Sequence, residues 1–301
     1  MADTVGEALR AAVTRLAASG RPASDAEELL SSLLGVDRGE LQRMSNAPLA
    51  REQSDRFEAH LVRREAGEPV QYITGRAAFR HLDLAVDRRV LVPRPETELL
   101  VDAVLEHLEA NADPRRAPRV LDLGTGSGCI ALALAHEHPG VQLTATDASE
   151  EALELARENA ATCGLTQRIA FAGGRWFDAI APDDRFDVIV SNPPYIALEE
   201  RAGLPGDVRD WEPAAALFAV DGGLADIRDI LEDAPRHLLA GGLLVLELAE
   251  QRAMQVAEWL DGAHDWNAVE VRADLTGRPR MLLARREHGP AIAPAQWGEE
   301  G

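Results

Sequence analysis

From Pro93 onward, short apolar runs typical of buried strands alternate with stretches whose apolar residues recur at helical spacing. This alternation predicts an α/β fold with a doubly wound, mostly parallel sheet and helices on both faces. The strands are predicted at Arg119–Leu123, Val141–Thr146, Arg168–Phe171, Asp187–Val190, Leu243–Glu247, Ala268–Arg272 and Arg280–Ala284. The helices between them are predicted at Gly128–Glu137, Glu150–Cys163, Leu224–Leu239 and Gln251–Leu260. No helical pattern separates the last two strands, so we expect an antiparallel pair at that end of the sheet.

The first part of the chain has a helical pattern instead. Several short amphipathic helices are predicted between Thr4 and about Arg64, one of them begun by the capping-box pair Ser24 and Glu27. Residues 79–92 alternate as a strand pair would, with the turn predicted at residues 87–89. We therefore predict a helical domain at residues 1–76, a β-hairpin linker at 77–92, a sheet domain at 93–286 and a loose tail at 287–301.

The charge of the chain is uneven. The net charge is −20, and residues 93–301 contribute −19 of it. An acidic domain repels phosphate backbones, so we expect no direct binding of nucleic acid. No apolar run reaches the roughly 18 residues that would span a membrane, and the first residues lack a secretory signal pattern. The two cysteines, Cys129 and Cys163, belong to no motif, which favours a reducing compartment and a cytoplasmic location.

A glycine-rich turn follows the first strand of the sheet domain. Asp122-Leu-Gly-Thr-Gly-Ser-Gly128 ends that strand and opens a helix, and Asp147 follows the next strand. Glycines allow a tight turn and close approach of a ligand to the backbone, and an acid in this position commonly binds ribose hydroxyls. The spacing differs from the dinucleotide fingerprint. We therefore predict a nucleoside-containing cofactor at this turn; the alternative is a plain glycine-rich turn next to an aspartate.

Trp176 follows the third strand of the sheet domain, at the edge where the cofactor is predicted. One interpretation is packing of the indole on an adenine face. The other is an ordinary core aromatic residue. The sequence alone leaves both open.

Asn192-Pro193-Pro194-Tyr195 follows the fourth strand and suggests the chemistry. An amide nitrogen is a poor nucleophile, so an enzyme that methylates it must hold the NH₂ group with acceptors and aim it at the methyl group. The Asn192 side-chain oxygen and the Pro193 carbonyl are candidate acceptors, which would bind the transition state more tightly than the ground state. Tyr195 is a candidate for stacking on the planar substrate group.

These motifs together resemble the peptide chain release factor glutamine N5-methyltransferases, the HemK/PrmC family. The resemblance runs through most of the chain. The matching stretches are Gly67–Gly75, Val90–Glu98, Asp122–Gly128, Asp147, Trp176-Phe177, Ser191–Ile196, Asp221–Leu224 and Asp274–Arg278. The stretch Pro93-Arg-Pro-Glu-Thr-Glu98 discriminates best, because Asn-Pro-Pro-Tyr also occurs in methyltransferases that act on nucleic acid bases.

The resemblance implies a class I S-adenosylmethionine-dependent methyltransferase with a seven-stranded sheet. Its substrate would be the glutamine of the Gly-Gly-Gln motif in class 1 peptide chain release factors, docked by the helical domain. The implied cofactor-binding residues are Gly124, Thr125, Gly126, Ser127, Gly128, Asp147, Trp176 and Asn192. Those implied to bind the glutamine are Asn192, Pro193, Pro194 and Tyr195, with catalysis assigned to Asn192, Pro193 and Tyr195.

Three alternatives remain at this stage. They are a glutamine methyltransferase of a ribosomal protein, a methyltransferase of nucleic acid amino groups, and an inactive module that binds a partner. Leu248-Ala249, after Glu247, departs from the family pattern, which has glycine there.

Two smaller features are open to interpretation. His136 and His138 occupy alternate helix positions that face apart, so we predict no metal site. Arg94 and Glu98 could lie at the mouth of the site or pair with each other, and we favour the pair.

Overall fold

The computed structural model describes residues Thr4–Glu287. This part of the chain forms two compact units. The first contains the residues up to Arg76 together with Leu204–Trp211, and the second contains the rest, from Ala77. Most of the predicted loose tail lies outside the described residues. No helix in residues 4–287 is long and apolar enough to cross a membrane.

The helices and strands are numbered here in chain order. The helices are α1 (Val5–Ala18), α2 (Ser24–Leu34), α3 (Arg38–Arg43), α4 (Arg51–Glu65), α5 (Val70–Thr74), α6 (Glu98–Ala110), α7 (Cys129–Glu137), α8 (Glu150–Thr162), α9 (Gly206–Arg209), α10 (Ala214–Leu217), α11 (Val220–Gly223), α12 (Ala225–His237) and α13 (Glu250–Leu260). The strands are β1 (Arg76–Phe79), β2 (Leu82–Ala85), β3 (Arg119–Leu123), β4 (Gln142–Asp147), β5 (Ile169–Gly173), β6 (Phe186–Ser191), β7 (Ile196–Ala197), β8 (Phe218–Ala219), β9 (Leu238–Glu247), β10 (Trp266–Ala273) and β11 (Pro279–Arg286). Short 3₁₀ helices lie at Pro95–Thr97 and Leu198–Gly203.

The first unit is helical, as predicted, and its core lies between α1, α2, α4 and α5. The capping box predicted at Ser24 is wrong. Ala23 already has helical φ and ψ, so Ser24 lies inside the helix and cannot cap it. The capping box in this unit instead joins Thr4 and Glu7 at the start of α1.

The second unit contains the predicted sheet, with seven strands in the order β10-β11-β9-β6-β3-β4-β5. The five strands from β9 to β5 in that order are parallel, while β11 and β10 are antiparallel, which confirms the predicted fold class. Most predicted strand bounds differ from the observed ones by one or two residues. Strand β9 is the exception, since it begins at Leu238, where the sequence pattern predicted the end of a helix.

The core of this unit lies in two layers, one on each face of the sheet. Alternate strand residues such as Val188 and Ile189 belong to different layers, because successive side chains of a strand point to opposite faces. Helices α6, α7 and α8 cover one face, and α12 and α13 cover the other. Helix α6 was not among the predicted helices.

The hairpin is present, but the turn predicted at residues 87–89 is not the one that joins its strands. Strands β1 and β2 pair around a turn at Arg80-His81, and the predicted turn forms after β2, where the Val90 amide donates to the Asp87 carbonyl at 3.1 Å. The position of Arg80 explains the difference. Its backbone is left-handed, with φ of 51°, and its guanidinium bonds Asp102 and Glu137 at 2.7 Å each. These long-range ion pairs stabilise a turn residue that local propensity disfavours.

Candidate active site

The site residues lie at one edge of the sheet, where the parallel strands have their carboxyl ends. Strands β3, β4, β5, β6 and β9 end there at Leu123, Asp147, Gly173, Ser191 and Glu247. Strand β3 lies between β4 and β6, so the chain moves outward from it in two directions. Ligands of open α/β sheets bind at such a switch point, and the predicted turns therefore converge there.

The glycine-rich turn after β3 is held by hydrogen bonds to Asp122 and to the end of β4. Thr125 Oγ1 donates to Asp122 Oδ2 at 2.6 Å, and the Thr125 amide donates to the Thr146 carbonyl at 2.9 Å. Full burial raises the pKa of Asp122 to about 7. Gly124 has φ of 68°, and a Cβ there would lie 3.4 Å from the Trp176 ring. That distance is an ordinary van der Waals contact, so the positive φ and not crowding by the indole favours glycine at this position.

Asp147 is anchored by backbone amides. Its Oδ2 accepts from the Gly126 amide and its Oδ1 from the Ser149 amide, each at 2.9 Å. Burial raises its pKa despite these bonds. Each carboxylate oxygen keeps a further lone pair, so Asp147 can still accept from a ligand hydroxyl.

Trp176 has a left-handed backbone, with φ of 47°, and its carbonyl accepts from Thr146 Oγ1 at 3.3 Å. The indole packs against the core layer on the α12 side and lines the pocket described below. Its Nε1 is buried, and within residues 4–287 it has no hydrogen-bond partner. A donor buried to this degree does not face the open pocket, so the unpaired Nε1 does not decide between the two interpretations of Trp176.

Asn159, on α8, was not among the predicted site residues. It is 1% exposed, and its amide joins the linker to the glycine-rich turn. Asn159 Oδ1 accepts from the Ala85 amide at 2.7 Å, while Nδ2 donates to the carbonyls of Ala85 and Ser127 at 3.0 and 2.9 Å. An isolated Asn in a helix gives no sequence signal for such a role.

The Asn192–Tyr195 segment leaves the sheet from β6. Ser191 Oγ donates to the Leu123 carbonyl at 2.7 Å, which fixes the exit of the strand next to the glycine-rich turn. Burial raises the pKa of Tyr195 to about 12. Gly223 contacts the same segment: a Cβ there would lie 2.4 Å from the Tyr195 carbonyl oxygen. The second glycine of the Asp221-Gly-Gly stretch therefore allows α11 to approach this backbone.

Asn192 contacts Thr97, which in turn contacts Glu247. Asn192 Nδ2 lies 3.3 Å from Thr97 Oγ1, and Thr97 Oγ1 donates to Glu247 Oε2 at 2.7 Å. Thr97 and Glu247 are buried, and desolvation raises the pKa of Glu247 to about 7. Thr97 belongs to the matched Pro93–Glu98 stretch, but nothing in the sequence connects it to Glu247, 150 residues away.

These elements surround a pocket of about 390 Å³. Its wall includes eight of the predicted site residues: Gly124, Thr125, Gly126, Ser127, Asp147, Trp176, Asn192 and Pro194. Gly128, Pro193 and Tyr195 are not part of the wall. Sequence reasoning missed the contributions of several other residues to the wall. Arg88 and Arg89 precede the matched Val90–Glu98 stretch, Val90, Leu91 and Thr97 belong to it, and Pro213, Ala215 and Ala216 lie at the start of α10.

The predicted pair of Arg94 and Glu98 is wrong. Arg94 lines the pocket and bonds Glu212 at 2.6 and 2.7 Å, and Glu98 accepts from the Arg80 amide at 2.8 Å. Both partners, Glu212 and Arg80, are distant in sequence, so only the folded chain places them next to Arg94 and Glu98.

The histidines near the end of α7 do not gather into a ligand set. Glu137, between them, binds the Arg80 guanidinium, which lowers its pKa. Within residues 4–287 there is no group of three or more residues suited to holding a metal. The absence of a metal site stays a prediction.

Comparisons with known proteins support the sequence resemblance. Residues 7–75 match the family described as PrmC N-terminal domain, and residues 97–203 match the Methyltransferase small domain. The release factor glutamine methyltransferase of Cereibacter sphaeroides is 43% identical over 281 residues, which are 93% of this chain and 97% of that protein. The protein of the same name from Escherichia coli is 40% identical and covers 92% of this chain and 97% of its own length.

Among solved structures, the hMettl16 catalytic domain in complex with a MAT2A 3′UTR hairpin has a TM-score of 0.55. It is 17% identical and covers 81% of this chain and 84% of its own, so the likeness concerns the fold alone. The two full-length relatives carry the assignment, and the chain belongs to the release factor glutamine methyltransferase family.

Proposed function

We propose that this methyltransferase transfers a methyl group from S-adenosylmethionine to the side-chain amide nitrogen of the glutamine in the Gly-Gly-Gln motif of class 1 release factors. The observation that carries the proposal is the position of Asn192. It lines the pocket next to the glycine-rich turn and begins the Asn-Pro-Pro-Tyr segment, in a chain whose relatives are named for this substrate.

The pocket fits the proposed cofactor in chemistry and size. Asp147 offers free lone pairs for ribose hydroxyls, and Trp176, which lines the pocket, offers an aromatic face. The backbone of Gly124–Ser127 allows a ligand to approach closely. A volume of about 390 Å³ is within the range of small-molecule sites. S-adenosylmethionine, when bound, supplies an electrophilic methyl group on a sulfonium.

Asn192, at the other end of the pocket, would hold the glutamine together with Pro193 and Tyr195, which follow it in the same segment but are not part of the pocket wall. Asn192 Oδ1 and the Pro193 carbonyl would accept the two N–H bonds of the substrate amide. Their attraction grows as the nitrogen becomes more positive, so they stabilise the transition state more than the ground state. Tyr195 would pack against the planar amide and exclude water. With a raised pKa, Tyr195 stays neutral at physiological pH and does not act as an anionic base.

The helical unit would dock the release factor, and the net charge of −19 in residues 93–301 disfavours a nucleic acid substrate. Nothing in the structure favours a ribosomal protein over a release factor. The cytoplasmic location also remains a prediction, consistent with a substrate used in translation.

Labelled S-adenosylmethionine and a purified class 1 release factor test the proposal. We expect label on the release factor, and mass spectrometry should place one methyl group on the glutamine of its Gly-Gly-Gln peptide. A release factor with Gly-Gly-Ala is the matched control and should remain unlabelled. Equal labelling of that control would exclude the proposed target atom. Stronger labelling of ribosomal protein or RNA than of the release factor would overturn the substrate assignment.

A further inference from the structure

Asn192 lies at the outer end of a buried chain of hydrogen bonds. The chain runs from Asn192 Nδ2 to Thr97 Oγ1, over 3.3 Å, and from Thr97 Oγ1 to Glu247 Oε2, over 2.7 Å. Thr97 is 2% exposed and Glu247 is 3% exposed, so water competes little for either side chain. The three residues lie far apart in sequence and meet at the carboxyl edge of the sheet.

The direction of each bond follows from which groups have a proton to give. An ionised carboxylate only accepts, so the Thr97 hydroxyl donates its single proton to Glu247. The Thr97 oxygen is then left to accept, and the Asn192 amide must present its NH₂ group. The two ends of an Asn amide are nearly equal in shape, and only such a network decides which way they point.

We propose that Thr97 and Glu247 are positioning residues that fix the Asn192 amide with Oδ1 facing the substrate. The inference rests on the proposed function, in which Asn192 Oδ1 accepts from the glutamine amide. Thr97 lines the pocket next to Asn192, but in this account neither Thr97 nor Glu247 bonds the glutamine amide or the reacting atoms. They act through Asn192, because they exclude the flipped amide. In that orientation the Asn192 NH₂ group would face the NH₂ group of the substrate, and two donors would meet.

The surroundings of Glu247 raise its pKa, so the ionised form that this bond direction needs requires an alkaline pH. Burial and Glu96 act to raise the pKa, while the Thr97 hydrogen bond and the Arg280 and Arg94 guanidinium groups act to lower it. The balance leaves the pKa at about 7, so the carboxylate is largely ionised at pH 8. Arg94 is itself fixed by Glu212, and the Arg280 carbonyl accepts from the Leu248 amide, directly after Glu247.

The backbone on both sides of the hydrogen-bond chain is constrained. Thr97 ends a 3₁₀ helix that begins at Pro95, and α6 follows at once. Glu247 is the last residue of β9 and pairs with Met281 on β11. The backbones of both residues are therefore fixed by regular elements, and the hydrogen bond between the two buried side chains makes the pair suited to holding a third side chain in one orientation.

The test compares Thr97→Val with Thr97→Ser at pH 8, using the release factor as substrate. Valine keeps the shape of threonine and removes the hydroxyl, whereas serine keeps the hydroxyl. We expect Thr97→Val to lower kcat by ~10- to 10²-fold, the cost of a misaligned catalytic group. The KM for the release factor and the affinity for S-adenosylhomocysteine should stay within about twofold, and Thr97→Ser should keep most of the wild-type kcat.

A double-mutant cycle with Asn192→Ala separates positioning from a general structural role. If Thr97 acts through Asn192, Thr97→Val lowers single-turnover labelling in the wild-type background but causes no further loss in the Asn192→Ala background. Equal losses in both backgrounds would overturn the inference. The variant Thr97→Val with Glu247→Gln serves if Thr97→Val fails to fold, because it leaves no buried carboxylate without a partner.

Other outcomes are equally decisive. Wild-type kcat in Thr97→Val, or equal losses in Thr97→Val and Thr97→Ser, would show that the hydroxyl does not orient Asn192. Failure of the wild-type enzyme to label the release factor would instead contradict the proposed function. The two failures are therefore distinguishable, since the second appears before any substitution at Thr97 is made.

Discussion

The two ends of the pocket are built in different ways. At the end formed by the turns after β3, β4 and β5, most of the contacts that shape the site involve backbone groups. The Gly126 amide bonds the Asp147 carboxylate, and the Thr125 amide bonds the Thr146 carbonyl, each across 21 residues of sequence. At the end formed after β6 and β9, side chains meet side chains: Asn192 reaches Thr97 across 95 residues, and Thr97 reaches Glu247 across 150.

In the proposed reaction the two ends would have different roles. The turn built on backbone amides and glycines would bind the cofactor. At the other end, side chains held by other side chains would fix the orientation of Asn192, on which the proposed methyl transfer depends. Substitutions at the first end should therefore act mainly on cofactor binding, and substitutions at the second mainly on turnover.

The largest effect is expected from Asn192→Ala, which removes the acceptor at the side-chain end. Turnover with the release factor should fall by at least ~10²-fold, as for the loss of one transition-state hydrogen bond. The thermal unfolding midpoint should change little, because Asn192 is only partly buried and its bond to Thr97 is long. Radiolabel incorporation and calorimetric unfolding measure the two quantities. Unchanged turnover would exclude the proposed acceptor role.

Asp147→Ala tests the backbone-built end. The variant loses the proposed acceptor of the ribose hydroxyls, and the dissociation constant of S-adenosylhomocysteine should rise by ~10- to 10²-fold, the equivalent of roughly 1.5–3 kcal/mol for a bond to a charged group. Asp183→Ala, at an exposed loop residue, is the matched control and should bind normally. Calorimetry gives both constants. A normal constant for Asp147→Ala with a large loss of kcat would reverse the comparison between the two ends.

Gly223→Ala and Gly222→Ala form a matched pair near Tyr195. Both glycines have positive φ, so each substitution strains the backbone by about 1 kcal/mol. Only at Gly223 would the new Cβ meet the Tyr195 carbonyl oxygen, 2.4 Å away, whereas Gly222 has open space around it. The free energy of unfolding should therefore fall by about 1–3 kcal/mol more for Gly223→Ala, as in overpacked sites. Equal losses in denaturant titrations would show that the close approach is not what requires glycine.

Glu247→Gln tests the buried acid through the pH dependence of stability. The pKa of Glu247 is raised to about 7 in the folded state, above its ordinary value, so the folded state binds the proton more tightly than the unfolded state. The wild-type protein therefore loses stability from this group as pH rises from about 4 to 7, and glutamine does not titrate. We expect Glu247→Gln to gain on the order of 1 kcal/mol relative to wild type between pH 5 and pH 8. A pH-independent difference in unfolding free energy would contradict the raised pKa.

The sequence predicted the sheet and the glycine-rich turn after β3 well. Strand β3, the turn and α7 follow one another along the chain, and local periodicity and glycines with positive φ specify each of them. The hairpin turn was misplaced, because long-range ion pairs of Arg80 decide it. Asn159 was missed for a similar reason, since its amide bonds Ala85, 74 residues away.

At the Asn192 end of the site, the motif could be predicted from the sequence but its contacts could not. Asn-Pro-Pro-Tyr was recognisable, because its residues are adjacent and follow an apolar strand. Its support by Thr97, Glu247 and Gly223 was not, although Thr97 and Gly223 both belong to stretches that match the family. The resemblance to the family places Thr97 and Gly223 in matching stretches, but it does not predict which atoms they contact.

By itself, the sequence determined the succession of the predicted strands and helices along the chain, the glycine-rich turn and the Asn-Pro-Pro-Tyr segment. These features depend on local periodicity and on backbone freedom at single residues. Only the tertiary structure decided which side chains meet at the carboxyl edge of the sheet. Hydrogen bonds between Asn192, Thr97 and Glu247 require strand order and register to bring distant residues within about 3 Å. The spacing of these residues along the chain does not show that their side chains lie this close together.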